Sequence, residues 1–192
     1  MKCRAHFAVI AALCVLTTGT LASAQDVPKD KQTKLGMYMT PKEAANAIAV
    51  EPSKILFVDI RTRGEIQFVG IATGIDGHVP FVEMNEFGEW DDKNSRYKLE
   101  PNPTFSTSIE KLLARKGLTK TDKIILICRS GDRSSRAINL LADIGFTNVW
   151  NQHEGFEGDL SADGRRTVNG WKNAGLSWSY KLEKSKVILP GQ

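Results

Sequence analysis

Apolar residues along the chain fall into two kinds of pattern, short continuous runs and longer stripes at helical spacing. Ile55 to Ile60 is an apolar run broken only by Asp59, and Ile124 to Ile127 is a second. Runs of this length, apolar on both faces, predict strands buried in the middle of a sheet. Met37-Tyr38-Met39, Val79 to Val82 and Val149-Trp150 are shorter strand candidates. Between them lie the stripes Phe105, Ile109, Leu112, Leu113 and Ala137, Ile138, Leu140, Leu141, Ile144, each spaced for one face of a helix and each followed by a glycine, Gly117 or Gly145. Thr40-Pro41-Lys42-Glu43 predicts a further helix start, with Thr40 as N-cap, Pro41 in the first turn and Glu43 closing a capping box. Asn102-Pro103 opens the helix that carries the stripe from Phe105 to Leu113. Strands alternating with helices in this way predict an α/β fold, a mostly parallel sheet with helices on both faces.

Three stretches stand outside that alternation. Residues 25–36 are polar and lysine-rich and read as a disordered lead-in. About residues 84–103 the chain turns polar again, with Gly88, Trp90, Asp91, Asp92 and Asn94, which reads as a long surface insertion. Residues 181–192 form a tail of mixed charge. The domain is therefore expected over 37–180. No internal repeat and no metal-ligand spacing is present in the pattern, and no cofactor is implied.

The first 24 residues belong to targeting rather than to the fold. Lys2 and Arg4 precede an apolar run from Phe7 to Leu16, and Ala22-Ser23-Ala24 supplies the small residues of a cleavage site. This is the pattern of a secretory signal peptide with a mature start at Gln25, and it implies a periplasmic or secreted protein. A membrane anchor would need roughly 20 apolar residues, and this run breaks at Thr17-Thr18-Gly19-Thr20. Lipid attachment is disfavoured because Leu13 precedes Cys14. Loss of Lys2 and Arg4 lowers the formal net charge from +4 to +2. So mild an excess, without basic runs interleaved with aromatics, gives no case for a nucleic-acid partner.

Processing also leaves Cys128 as the one cysteine of the mature chain, since Cys3 and Cys14 depart with the signal. Exported cysteines are usually paired, so a lone one is buried and inert, joined to another chain, or a reactive thiol. Its neighbours favour the last. Cys128-Arg129-Ser130-Gly131-Asp132-Arg133-Ser134 lies between a buried strand and an amphipathic helix, at the carboxyl end of the strand, where open α/β sheets place their ligands. A turn into a helix aims backbone N–H groups at an anion. Arg129, Arg133 and, further on, Arg136 add positive charge, and all of these favour thiolate over thiol. An inert cysteine would be followed by more core, whereas this one is followed by polar and basic residues.

The same run resembles the active-site loop of rhodanese-like sulfurtransferases. Val58-Asp59-Ile60-Arg61-Thr62-Arg63-Gly64-Glu65 is similar to that family's first motif, Gly77-His78-Val79-Pro80 to its glycine-histidine-isoleucine-proline segment, and Gly155-Phe156-Glu157-Gly158 with Gly170 to Leu176 to its closing segments. The likeness covers about residues 37–180. It departs where Phe81-Val82 replace a glycine-alanine pair, and in the insertions from Met84 and over 161–169.

The resemblance implies a five-stranded sheet and double displacement through sulfur. Cys128 would attack the outer sulfur of a small anionic donor such as thiosulfate, carry it as a persulfide, and pass it to a thiol or protein acceptor. Ser130, Gly131, Asp132 and Ser134 would belong to the loop that holds the substrate, with Arg129 and Arg133 orienting the donor's oxyanion. Asp59 and Arg61 read as a supporting ion pair rather than as catalysts, and Glu65 as a helix-start or salt-bridge residue. Two other readings stand beside this one. A non-turnover persulfide relay or binding module would use the insertion, with Phe87 and Trp90, as its docking surface. A cysteine-based phosphatase would need arginine six residues after the cysteine, where Ser134 stands instead.

Overall fold

In the computed structural model, residues 27–84 and 87–188 are described; the signal-peptide region 1–24 lies outside them. In chain order the elements are β1 (Tyr38–Met39), α1 (Pro41–Val50), β2 (Ile55–Asp59), α2 (Arg63–Val69), β3 (Ile71–Ala72), β4 (Gly77–His78), β5 (Val82–Glu83), β6 (Trp90–Asp91), β7 (Arg96–Tyr97), β8 (Glu100–Pro101), α3 (Phe105–Lys116), β9 (Lys123–Ile127), α4 (Asp132–Asp143), β10 (Val149–Gln152) and β11 (Trp178–Ser179). The central sheet has five parallel strands in the order β1-β10-β9-β2-β4.

Alternation along the two central strands divides the core. Leu56, Val58, Ile124, Leu126 and Cys128 face α3 and α4, meeting Ile109, Leu112, Leu113, Ala137, Ile138 and Leu141. Ile55, Phe57, Ile125 and Ile127 face the opposite way, onto Ala44 of α1, Ile66 of α2, Phe156 and Trp171. Both sheet faces are thus covered, as the doubly apolar runs require. Thr40 and Glu43 form the expected capping box at α1, and Gly117 takes a left-handed conformation after α3.

The fourth strand differs from expectation. It is Gly77–His78, paired with Val58 and Asp59, rather than residues 79–82. Val79 and Phe81 still donate to Asp59 O and Ile60 O at 2.9 and 3.0 Å, but Pro80 between them has no N–H to continue the ladder. The chain then leaves the sheet, and Val82–Glu83 pairs with Glu100–Pro101.

The insertion is built rather than loose. β5 pairs with β8 and β6 with β7, both antiparallel, and Lys98 N donates to Glu89 O at 2.7 Å. Trp90 and Tyr97 meet edge to face at 5.5 Å.

The lead-in corrects the reading of residues 25–36 as disordered. From Val27, which is buried, the segment lies on α4. Lys31 Nζ reaches Asp159 at 2.6 Å, Thr33 N donates to the Tyr38 hydroxyl at 2.8 Å, and Ser135 Oγ donates to Asp30 O at 3.0 Å. Its polar composition suggested solvation, yet these groups are satisfied by the domain. The tail is also attached: Val187 bridges His78, and Ile188 N donates to His78 O at 3.3 Å. Boundaries at 37 and 180 are therefore too narrow for the folded body.

Candidate active site

Cys128 follows β9 directly and is fully buried. Its Sγ accepts the Gly131 N–H at 3.1 Å, which bends the chain back over the sulfur. That turn needs Gly131 at φ 97°, and a Cβ there would stand 2.0 Å from His153 O. Gly155 fits the other side of the same loop; a Cβ on it would stand 2.4 Å from the Arg129 carbonyl. Phe156 N donates to Cys128 O at 2.7 Å and Glu157 N to Arg129 O at 3.0 Å. The glycine-containing segment 155–158 thus docks onto the cysteine loop main chain to main chain.

Helix α4 starts at the loop with Gly131 as its N-cap and no side chain capping it. Its first-turn amides, which a helix cannot satisfy internally, remain available to an anion. Ser134 stands one turn in, with Oγ 3.4 Å from Cys128 Sγ and 2.6 Å from Asn151 Oδ1.

The arginines have separate fates. Arg133, expected to orient a donor, turns away into a nearly buried double contact with Glu65, with Nη1–Oε2 at 2.7 Å and Nη2–Oε1 at 2.5 Å. Burial pushes the Glu65 carboxyl up, but hydrogen bonds and charge from Arg133, with Thr62, hold it at about 2. Arg133 is correspondingly raised despite its burial. Arg136 is exposed and pairs with Asp132 at 3.2 Å. Arg129 is half-buried, and its buried Nε has no partner among the described residues. Burial, and then the charge of Arg129, push the Arg166 guanidinium down, so these two cations lie close enough to repel.

Asp59 and Arg61 form a fully buried pair, with Nη2–Oδ2 at 2.6 Å. Arg61 also donates to Gly70 O at 2.7 Å and lies 3.9 Å above the Phe156 ring. Its contact with Cys128 is indirect, through Phe156. His78 Nε2 donates to Arg61 O at 2.6 Å, and burial lowers its pKa. His153 Nδ1 donates to Met39 O at 3.1 Å and is likewise lowered by burial.

Beside the loop lies a cleft of about 480 Å³, walled by Arg129, Asp132, Arg133 and Arg136 on one side and by Met84, Asp91 and Arg96 to Pro101 of the insertion on the other. Cys128, Ser130 and Gly131 are not among the residues that line it.

Sequence reasoning missed Glu65 as the partner of Arg133, Asn151 as the partner of Ser134, and Arg166 near Arg129. The reading of Glu65 as a helix-start or salt-bridge residue holds on both counts, since it closes a capping box with Thr62 at α2, like that of Thr40 with Glu43, and pairs with Arg133.

A family model described as Rhodanese-like domain matches residues 40–162. An uncharacterized protein of Rickettsia prowazekii (strain Madrid E) is 32% identical over 125 residues, covering 64% of this chain and 81% of that one. A crystal structure of the Rv0390 protein from M. tuberculosis aligns with TM-score 0.55 and 27% identity over 75% of this chain and 97% of that one. A polysulfide-sulfur transferase homodimer from Wolinella succinogenes aligns at TM-score 0.44 and 19% identity over 74% and 77%, a likeness too distant to carry an activity here.

Proposed function

The chain belongs to the rhodanese-like domain family, and from that membership and the loop geometry we propose that it is an exported sulfurtransferase working through a Cys128 persulfide. The observation that carries this reading is the Gly131 N–H held 3.1 Å from Cys128 Sγ at the uncapped start of α4. A sulfur placed there meets oriented N–H dipoles that favour negative charge on it.

In the first half-reaction the Cys128 thiolate attacks the outer sulfur of thiosulfate. The new S–S bond forms as the old one breaks, and sulfite leaves with its electron pair. In the second, an acceptor thiolate attacks the outer sulfur of Cys128–S–SH. The acceptor departs as R–S–SH and Cys128 is released as thiolate, so sulfur moves with no net oxidant. Arg129 steers the anionic donor, while Arg133 and Glu65 fix the start of α4. Asp59 and Arg61 brace the segment that docks on the loop. The signal-like start at residues 1–24 supports action in the periplasm or outside the cell. No helix among the described residues is long and apolar enough to cross a membrane.

Complete burial of Cys128 favours one second reading, a relay that takes sulfur up and releases it only when a partner opens the loop. Ser134 at the position where a phosphatase needs arginine, and the neutralisation of Arg133 by Glu65, weigh against phosphate chemistry.

The test is intact mass of the mature protein, reduced and then exposed to thiosulfate, beside Cys128→Ser. A gain of one sulfur on the wild type alone supports the reading, and no gain overturns it. Repeated turnover with a thiol acceptor then separates the enzyme from the relay.

A further inference from the structure

Two guanidiniums beside the cysteine loop have no carboxylate of their own among the described residues. Arg129 keeps its Nε buried without an acceptor, and Arg166 donates through Nη1 to Gly158 O at 2.6 Å and makes no ion pair. The cations around them are matched: Arg133 by Glu65, Arg136 by Asp132 and Lys31 by Asp159. Glu157, Asp159 and Asp132 act on Arg166 through charge alone.

Gly158 joins the two arginines. Its N–H donates to Arg129 O at 3.2 Å, and its carbonyl is the acceptor for Arg166. Arg166 is also held from its own side. Asn173 Nδ2 donates to Arg166 O at 3.1 Å and to Asn169 O at 2.6 Å, and Leu160 and Arg166 form an antiparallel bridge. The insertion over 161–169 therefore presents Arg166 in a fixed place instead of leaving it a loose surface cation. This residue lies beyond the family match, which ends at 162, so the matched segment does not supply it. Two half-buried cations that repel each other are costly to hold. An anion between them offsets that cost, and a doubly charged one offsets it most.

Resting on the sulfur-transfer reading, we propose that Arg166 is a second anion-binding residue of the donor site and that, with Arg129, it selects donors whose acid end leaves as a dianion. Cys128 thiolate forms its S–S bond to the outer sulfur as the old S–S bond breaks, and the electron pair departs on sulfite. Both guanidiniums then face the charge that grows on the leaving oxygens. A donor that leaves as a monoanion uses only one of them.

Arg166→Gln separates this role from support of Gly158, because it keeps a donor for Gly158 O and removes the cation. Loading of the reduced mature protein is followed by mass with thiosulfate and with the methanethiosulfonate anion. The latter gives up the same outer sulfur and leaves as singly charged methanesulfinate. At fixed ionic strength the variant should load from thiosulfate about tenfold more slowly, the low end for one charge-assisted hydrogen bond, and from methanethiosulfonate less than about threefold more slowly. Arg166→Lys should recover part of the loss. Equal losses with the two donors, or a Gln variant that loads from thiosulfate like wild type, overturns the proposal. Calorimetry with fully ionised sulfite reads the site without sulfur transfer. Sulfite held by wild type and about tenfold more weakly by Arg166→Gln supports the site even if Cys128 never loads. Equal binding to both proteins, or binding to neither, overturns it.

Discussion

Ser134 Oγ directs its one hydroxyl proton to Asn151 Oδ1 at 2.6 Å, with Gly131 O at 3.1 Å as the next acceptor in reach. Asn151 Nδ2 donates to Lys31 O at 3.0 Å and to Gly131 O at 3.1 Å, which fixes Oδ1 as the acceptor of the 2.6 Å contact with Ser134 Oγ. The Ser134 oxygen therefore turns a lone pair, not its proton, toward Cys128 Sγ at 3.4 Å. Asn151, with Gly131 O behind it, is a positioning residue that holds this proton away from the nucleophile.

Asn151→Leu leaves Gly131 O and Cys128 Sγ to share that proton and should slow persulfide formation by up to about fivefold, the size of one redirected hydrogen bond. Ser134→Ala in the same background removes the proton and should restore most of the rate. Stopped-flow loading followed by mass reads all three proteins. A double variant as slow as Asn151→Leu would mean that Asn151 acts only by supporting the loop.

Glu65 and Arg133 make acid stability specific. The carboxyl is held at about 2 in the fold against an unfolded value near 4.3. A depressed carboxylate contributes stability that is complete above its unfolded value and is lost as pH falls through its folded one. The contribution is of order 3 kcal/mol at neutral pH, fading between about pH 5 and pH 2. Glu65→Gln should lower stability at pH 7 by about that amount, because Arg133 stays buried beside a neutral group. The gap between the two proteins in urea titrations should close toward pH 2; a gap constant with pH would show that the pair does not set the slope.

What could be read in the sequence was what is local. The apolar runs at 55–60 and 124–127, the stripe from Ala137, and the box of Thr40 with Glu43 each report their own structure within a few residues. The cysteine loop was legible for the same reason, since strand, glycine turn and helix start are contiguous. What was not legible joins distant residues. Arg133 meets Glu65 across 68 positions, and Asn151 meets Lys31 across 120. No periodicity marks either pair, so Arg133 read as a free cation and the lead-in as unattached chain.

That lead-in yields the next prediction. Residues 27–34 lie before the family match at residue 40, yet Lys31 O orients Asn151 and Asp30 O accepts from Ser135 on α4. A mature chain beginning at residue 35 should lose several degrees of melting temperature, since it exposes the surface under Val27 and leaves the Asn151 amide short of an acceptor. It should also load sulfur more slowly at saturating thiosulfate. Unchanged melting and loading would show that the contacts are incidental.

Donor recognition separates the two arginines that the sequence treated alike. Arg133 is neutralised by Glu65, so Arg133→Ala should act first on stability and leave the loading KM for thiosulfate within about twofold where the protein is folded. Arg129 has its Nε buried without a partner, and Arg166 nearby makes the neighbourhood more positive still. An anion entering there relieves repulsion between two guanidiniums as well as gaining a charge-assisted hydrogen bond, worth about 1.5–3 kcal/mol. Arg129→Ala should therefore raise the KM for thiosulfate by roughly ten- to a hundredfold, with a smaller change in the saturated loading rate. Arg129→Lys should recover part of the loss, because it keeps the charge without the planar fork. If Arg133→Ala raised KM as much as Arg129→Ala in protein of equal folded fraction, the donor would bind through the helix start as a whole rather than through Arg129.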